Sequence, residues 1–175
     1  MNWKTTEYND GVKIQKLGAS GFSFVFPHSN GHINSVVAKR KGVPPKPMKT
    51  ITIRYRITAI SGNPTFQFVD HSGGGGLPAN FRPRIATGFL DDRYWPSGAN
   101  CAFIQSNEAE QVYTVQCKQN LWQDVFGGTN PNGFNPTLKK NGLWVISFGG
   151  GNNFEHGVFC SGGSAKFELL EFNIA

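Results

Sequence analysis

Two large aromatic rings lie among hydrogen-bonding side chains in the segment from residue 91 to residue 100. The rings belong to Tyr94 and Trp95. The polar residues around them are Asp91, Asp92, Arg93 and Asn100. Flat rings combined with donors and acceptors suit a sugar, which has apolar C–H faces and hydroxyl edges. We therefore predict a ligand-binding surface here, with Trp122 as a further ring. Core packing of Trp95 and Trp122 is the alternative.

Positive charge is concentrated between residues 39 and 56, where seven cations occur without an acid. These cations are Lys39, Arg40, Lys41, Lys46, Lys49, Arg54 and Arg56. The rest of the chain carries ten cations and eleven acids, so the net charge of +6 comes from this segment. Such a segment can attract phosphate, sulfate or uronate polymers. Its lysines can equally keep an exposed strand edge from pairing with other sheets, and the sequence leaves both interpretations open.

Residue types used in catalysis are present, but their spacing does not bring them together. Asp70, His71 and Ser72 are adjacent, and neighbouring strand residues point to opposite faces, so they cannot form a relay. The glycine runs lack the Lys-Ser/Thr ending of a phosphate-binding loop. Carboxyl pairs for glycoside cleavage can be drawn from Asp70, Asp91, Asp92, Asp124 and Glu155. Because eleven acids supply such pairs in any fold, we predict that the protein is not an enzyme.

Metal-ligating residues also depart from the spacing of known metal sites. His28 and His32 flank an Asn-Gly turn and are expected in solvent. Asp91 and Asp92 supply only part of the oxygen shell that Ca²⁺ requires, so a structural calcium ion is left open. The cysteines are Cys101, Cys117 and Cys160. Their spacing matches no zinc pattern and an odd number cannot all pair, so we expect buried free thiols and no cofactor.

The beginning of the chain, MNWKTTEYND, contains no apolar leader segment. Nor does any run of about 18 apolar residues occur, which is the length that a membrane-spanning helix needs. We therefore expect synthesis in a reducing cytosol without a signal peptide, and no insertion into a membrane.

Alternation of apolar and polar residues predicts the strands that hold these side chains. In the strongest strand the inward face is Ile51, Ile53, Tyr55, Ile57 and Ala59. Its outward face is Thr52, Arg54, Arg56 and Thr58. Phe22, Phe24 and Phe26 repeat the pattern. In the C-terminal strand the apolar residues change from odd to even positions near Leu169 and Leu170. A bulge there would let the apolar side chains on both sides of it point inward.

Gly, Asn and Pro clusters predict the turns, including those at 62–64 and 161–163. Helix is limited to one turn beginning at Asn135 and one within 120–126. The 15 Phe can build a core, and 22 Gly with 10 Pro favour turns. We predict an all-β fold, a two-sheet antiparallel β-sandwich of the jelly-roll type with about a dozen short strands, as one domain over residues 1–175.

The last third of the chain carries a pattern of glycines and aromatic residues. It comprises Trp122 followed by DVFG from Asp124, then WVISFGGG from Trp144, HGV from His156 and SGGSAKFEL from Ser161. Over residues 120–174 this pattern resembles jelly-roll modules that occur as carbohydrate-binding and lectin-like domains and in bacterial and phage surface proteins. The resemblance implies a two-sheet sandwich with a non-catalytic recognition or structural role.

We accordingly expect a recognition module that binds a glycan or attaches to a surface. The alternative is a virion structural protein, such as a capsid decoration or tail component, whose partners are other virion subunits and which leaves the cell by lysis. The sequence does not decide whether this chain forms a homo-oligomer. Nucleic acid is not favoured, because Tyr55, the ring available for base stacking, lies opposite the outward Arg54 and Arg56.

Overall fold

The structure is a computed structural model that describes residues 1–6, 9–39, 45–70, 72, 74–88, 92–124, 128, 131–151 and 156–175, apart from the side chains of 99, 131 and 132. Its strands are β1 (Trp3–Thr5), β2 (Gln15–Leu17), β3 (Gly21–Val25), β4 (Ser35–Lys39), β5 (Thr50–Val69), β6 (Gly75–Gly76), β7 (Asn80–Ala86), β8 (Tyr94–Pro96), β9 (Ala102–Phe103), β10 (Gln111–Gln116), β11 (Trp122–Asp124), β12 (Leu143–Gly149) and β13 (Val158–Ile174). Its helical segments are α1 (Pro131–Lys140) and the 3-10 turns Gly98–Asn100 and Gln119–Leu121. In the described ranges, no helix has the length and apolarity to cross a bilayer.

The strands form two antiparallel sheets. Sheet I has the order β1-β4-β12-β7-β8-β11, with β9 beside β7. Sheet II has the order β10-β5-β13-β3-β2, with β6 beside β5. The predicted all-β sandwich of two antiparallel sheets is thereby confirmed. The assignment of residues 1–175 to one domain stays a prediction.

Aromatic rings fill the space between the two sheets. Phe167 of sheet II packs against Phe81 and Phe148 of sheet I, with ring centroids 5.3 and 5.5 Å apart. Phe24 of sheet II lies 5.5 Å from the same Phe148. Each such pair contributes about 0.5–1.5 kcal/mol beyond the burial of its apolar surface. These contacts hold the sheets face to face, and the alternate side chains of each strand therefore point outward.

Two long strands, β5 and β13, pair along most of their length with three irregularities in register. The irregularity between Leu169 and Glu171 confirms the predicted bulge. The turns predicted at 62–64 and 161–163 are wrong, because both segments lie inside these strands. Gly62 and Gly162 have φ values of +63° and +74°. Glycine adopts such angles in a bulge as readily as in a turn, so the residue type alone does not distinguish the two.

Helix α1 is longer than the single turn predicted from Asn135. It begins at Pro131 and contains Pro136, which cannot donate a backbone hydrogen bond. Phe134 and Leu138, four residues apart, are both buried in the core. Their burial stabilises the helix despite its internal proline. Within 120–126 the structure has a 3-10 turn that ends at Leu121 and then β11, and residues 125 and 126 lie outside the described ranges.

Candidate ligand-binding cleft on sheet II

The predicted aromatic platform is buried. The exposed fractions of Tyr94, Trp95 and Trp122 are 6%, 3% and 0%. Strands β8 and β11 pair so that Tyr94 and Trp122 lie on the same face, where Phe134 of α1 packs on both rings at centroid distances of 5.8 and 5.5 Å. The Trp122 indole also donates a hydrogen bond to the Gln116 carbonyl. The interpretation of these rings as an exposed sugar platform is therefore wrong.

Two polar side chains of the same segment, those of Asp92 and Asn100, bind other side chains close to them in the chain. Asp92 accepts a hydrogen bond from Thr87 Oγ1 at 2.9 Å, and Asn100 Nδ2 donates to Ser97 Oγ at 3.0 Å. The Asn100 carbonyl accepts a bond from the Tyr113 hydroxyl. Arg93 is partly buried and Asp91 lies outside the described residues, as do His71 and Glu155. Ligand contact through Asp91, Asp92, Arg93 or Asn100 stays a prediction.

The cysteines and the metal-ligating residues add no centre of chemistry in the described part of the chain. All three cysteines are free thiols; Cys117 and Cys160 are buried as predicted, whereas Cys101 is only half-buried. In the described ranges, no three His, Cys, Asp or Glu side chains are grouped so that they could hold a metal ion. His32 is bonded to Asp10, its Nδ1 lying 2.5 Å from Oδ2.

The basic segment does not form one surface. Lys39 ends β4 in sheet I, whereas Arg54 and Arg56 lie on β5 in sheet II. Lys46 and Lys49 are exposed in the connection before β5. Arg40 and Lys41 lie outside the described residues. Because β5 is flanked by β10 and β13, it is not a sheet edge, so edge protection does not explain its arginines. Polyanion binding by the lysines stays a prediction.

Arg54 and Arg56 point outward as predicted, but acids from neighbouring strands neutralise them. Arg54 Nε donates to Glu110 at 2.6 Å and its Nη1 to Glu171 at 2.9 Å. Arg56 Nε donates to Glu168 Oε2 at 2.8 Å, and Lys166 Nζ lies 3.0 Å from Oε1 of the same carboxylate. These six residues form an ion-pair ladder with three positive and three negative charges. Acids thus balance the charge of both arginines, and polyanion binding through Arg54 and Arg56 stays a prediction.

Glu168 is the buried member of the ladder. Burial alone would raise the pKa of its carboxyl group, but the hydrogen bonds from Arg56 and Lys166 outweigh burial and lower the pKa below its ordinary value. The carboxylate is therefore ionised at neutral pH. Since both of its oxygens are bonded, it is held rigidly against the sheet.

An open cleft of about 360 Å³ lies beside the ladder, at the β2 edge of sheet II. We call it the sheet II cleft. Its lining consists of Gly11, Lys13, Gln15, Ser23, Phe24, Val25 and Lys166. Ser23 stands between Gln15 on β2 and Glu168 on β13, and Val25 stands beside Lys166. The cleft thus places an amide, a hydroxyl, two ammonium groups and an apolar side chain on one sheet face.

The central strand of sheet I, in contrast, is closed to solvent in the described part of the chain. All seven residues of β7 are buried. Arg82, which points away from the core, donates to the Asn80 side chain at 3.1 Å and to the Pro96 carbonyl at 2.8 Å. Burial lowers the pKa of the Arg82 guanidinium. Arg82 is thus bonded within the protein, whereas the polar groups of the sheet II cleft are accessible.

Sequence reasoning did not identify the sheet II cleft. Its only signal in the sequence is that Ser23 and Val25 alternate with inward phenylalanines and must therefore point outward. Many strand residues share that property. Only the strand order β2-β3-β13 shows that these two residues lie next to Lys166.

No family model matches the chain, and no curated protein matches it. Several solved structures are similar, and three of them are described here. PfGH50B is 7% identical with a TM-score of 0.53, over 99% of this chain and 22% of that chain. A structure described as "CBM4 structure and function" is 11% identical with a TM-score of 0.40, and the match covers 97% of this chain and 80% of that chain. The enzymatically active domain of tailspike protein 4 of bacteriophage CBA120 is 11% identical with a TM-score of 0.39, and the match covers 99% of this chain and 19% of that chain.

These similarities concern the fold alone. At 7% identity the likeness to PfGH50B shows a shared arrangement of strands, and the chain spans about a fifth of the length of that protein. The other two TM-scores are too low to support an argument. Function has to be inferred from the side chains of this protein.

Proposed function

We propose that the protein is a non-catalytic recognition module that binds a glycan in the sheet II cleft. The observation that carries this proposal is the composition of the cleft on the open face of sheet II. Gln15 and Ser23 offer neutral donors and acceptors for hydroxyl groups, and Val25, half-exposed, offers an apolar contact for a C–H face. A sugar ring presents both kinds of surface.

The cleft is also preorganised for binding. Ser23 and Val25 lie on β3, which is hydrogen-bonded on one side to β2 and on the other to β13. The neighbouring Glu168 is fixed by Arg56 and Lys166. Side chains already ordered by the sheet lose little conformational entropy when a ligand binds, so the contacts contribute more of their energy to affinity.

The groups around the cleft support binding in preference to glycoside cleavage there. Glycoside cleavage uses two carboxyl groups, one of which must be protonated to act as the acid. The seven residues that line the cleft include no carboxyl or imidazole group. Glu168, beside it, has a lowered pKa and is fully bonded, so it is unsuited to donate a proton.

Binding to an array of neutral and acidic oligosaccharides, followed by calorimetry with the strongest ligand, tests the proposal. We expect Gln15→Ala and Ser23→Ala to weaken binding about tenfold, which corresponds to ~1.4 kcal/mol. Gln116→Ala and Thr114→Val are matched controls, because they change the same chemical groups on β10, at the opposite edge of sheet II. Absence of any bound glycan, or equal losses in the controls, would refute the proposal.

A second candidate function is attachment to another protein subunit, as in a virion component. An apolar cleft of about 470 Å³, lined by Pro64, Leu77 and Ile104 among others, favours it. Leu77 is 70% exposed, and Phe103, in the strand that precedes Ile104, is 52% exposed. Exposed apolar side chains grouped in this way are typical of protein contacts.

Oligomeric state measured by light scattering tests this second function. We expect a defined oligomer that Leu77→Lys and Phe103→Lys dissociate. Val112→Lys serves as the control, since Val112 is equally exposed on β10. A monomeric wild-type protein would count against subunit attachment through this cleft.

A further inference from the structure

We propose that the glycan bound in the sheet II cleft is acidic, and that Lys13 and Lys166 hold its carboxylate or sulfate group. This inference rests on the proposed glycan binding and names the class of ligand. Both lysines line the same cleft, which is about 360 Å³ in volume. They come from the loop before β2 and from β13, so they approach the cleft from different parts of the chain.

The charge on this sheet face is unevenly distributed. At the β10 side of the ladder, Arg54 faces two carboxylates, Glu110 and Glu171. At the cleft side, one carboxylate, Glu168, serves both Arg56 and Lys166. Lys13 adds a further positive charge to the cleft. Among the ladder residues and Lys13, positive charge is therefore in excess on the cleft side and negative charge on the β10 side, which favours the approach of an anionic ligand to the cleft.

Among the described residues, two acids beside the cleft are already engaged. The two oxygens of Glu168 bind Arg56 and Lys166. Asp10, adjacent to Gly11 in the cleft wall, accepts a hydrogen bond from the His32 backbone and contacts the His32 ring. Both carboxylates are thus directed at protein partners, and an incoming anion meets the ammonium groups.

The hydrogen-bonding capacity of the cleft matches an anion on a sugar. An ammonium group has three N–H donors, and the bond from Lys166 to Glu168 uses one of them. Ser23 and Gln15 add neutral donors beside it. A carboxylate or sulfate ester can accept several such bonds at once, and bonds to charged donors are stronger than those to neutral ones.

Calorimetry with three matched series of oligosaccharides tests the inference. The series are neutral, uronic-acid and sulfate-ester versions of the same backbones. We expect one acidic series to bind at least about tenfold more tightly than its neutral counterpart, a difference of ~1.4 kcal/mol. The better acidic series then identifies the group as a carboxylate or a sulfate.

Variants locate the binding of the anion. We expect Lys13→Gln and Lys166→Gln each to reduce affinity for the acidic ligand about tenfold, a larger loss than for its neutral counterpart, and Lys166→Arg to retain tight binding. Lys118→Gln removes an exposed lysine just after β10 and is the control. Thermal unfolding of each variant verifies that it is folded, and Lys13 is exposed, so its replacement leaves the core intact.

The outcomes separate the two proposals. Equal binding of neutral and acidic sugars would overturn the inference and leave glycan binding in place. Tight acidic binding that Lys13→Gln and Lys166→Gln do not affect, or that Lys118→Gln weakens equally, would place anion recognition elsewhere and also overturn it. Absence of binding in all three series would overturn both.

Discussion

At the scale of single residues, Glu168 connects stability with the candidate site. It is the one buried acid of the ladder, and two cations hold its two oxygens. A buried carboxylate is costly unless such partners compensate for its lost hydration. The bond from Lys166 to Glu168 also positions Lys166 at the sheet II cleft, so the ionised Glu168 supports the geometry of the cleft.

Stability at acid pH tests the role of Glu168. Its pKa lies below the ordinary value of 4.5 in the folded chain, so the unfolded chain takes up the proton more readily. Its stabilising contribution is complete above pH 4.5 and is lost as the pH falls through the folded pKa. We expect urea unfolding to show that Glu168→Gln destabilises the protein at pH 7 and that this difference shrinks in acid. Glu108→Gln, at an exposed position, should show neither effect.

Because Trp122 is buried, it serves as a core residue and not as a ligand-binding ring. Its ring packs on Phe134 and is inaccessible to solvent. We expect Trp122→Ala to lower the free energy of unfolding by about 3–5 kcal/mol, as for other emptied aromatic core sites. Urea unfolding measures this loss, and Val112→Ala, at an exposed site, should change stability by no more than about 0.5 kcal/mol. A small loss at Trp122 would contradict its place in the core.

At the scale of secondary-structure elements, ion pairs and glycines determine how β5 and β13 fit together. The outward arginines of β5 bind acids of β10 and β13. Outward strand residues ordinarily tolerate substitution, so alternation alone predicts that reversing their charge leaves folding nearly intact. The ladder leads to a different expectation, because each reversal would place a new carboxylate beside existing ones.

Charge reversal of Arg54 and Arg56 to Glu should therefore lower the melting temperature. The matched control is reversal of Lys46 and Lys49 to Glu, which makes the same change in net charge at exposed positions of the same segment. Differential scanning calorimetry on both double variants measures the effect. Equal melting temperatures in the two would show that the ladder does not stabilise the sheet.

Gly163 tests the close approach of the two long strands. A Cβ atom at this position would lie 2.2 Å from the Ser61 carbonyl oxygen, which is backbone and cannot move aside freely. We expect Gly163→Ala to destabilise the protein by about 1–3 kcal/mol, the usual range for overpacking. Gly98→Ala is the control, because no atom lies within 4 Å of its Cβ position. Comparable unfolding free energies for the two variants would argue against a tight bulge.

At the scale of the whole molecule, the two sheets differ in accessibility. Sheet I buries the whole of its central strand β7, whereas sheet II exposes the ladder and the cleft. The core between the sheets contains Cys117 and Cys160. Burial raises the pKa of Cys117 to about 12 and also raises that of Cys160. Their chemistry therefore depends on the integrity of the whole sandwich.

Alkylation of these thiols reports on that integrity. The reactive form is the thiolate, so Cys117 and Cys160 should be inert to iodoacetamide in the native protein and react fully in urea. Cys101→Ser removes the half-buried third thiol and leaves only these two. Mass spectrometry measures the extent of labelling. Rapid labelling of this variant without urea, or a disulfide between the two cysteines, would contradict the packed core.

The sequence by itself determined those features that depend on neighbouring residues. Alternation in 51–57 and 22–26 predicted which side chains point inward, and the phase change at Leu169 and Leu170 predicted a bulge. Aromatic content predicted a large β-sandwich core. These features follow from the two-residue period of a strand and from the free energy gained by burying apolar surface.

Only the tertiary structure decided the accessibility and charge of individual groups. Tyr94 and Trp95 have polar neighbours in sequence, but strand pairing and α1 bury them. Arg54 and Glu171 are 117 residues apart, and a contact at that separation leaves no local pattern. The sheet II cleft likewise needs β2, β3 and β13 side by side. Ion pairs and clefts depend on the order of the strands in the sheet. That order arises from many long-range contacts at once, so the pattern of residues along the chain does not reveal the ion pairs or the clefts.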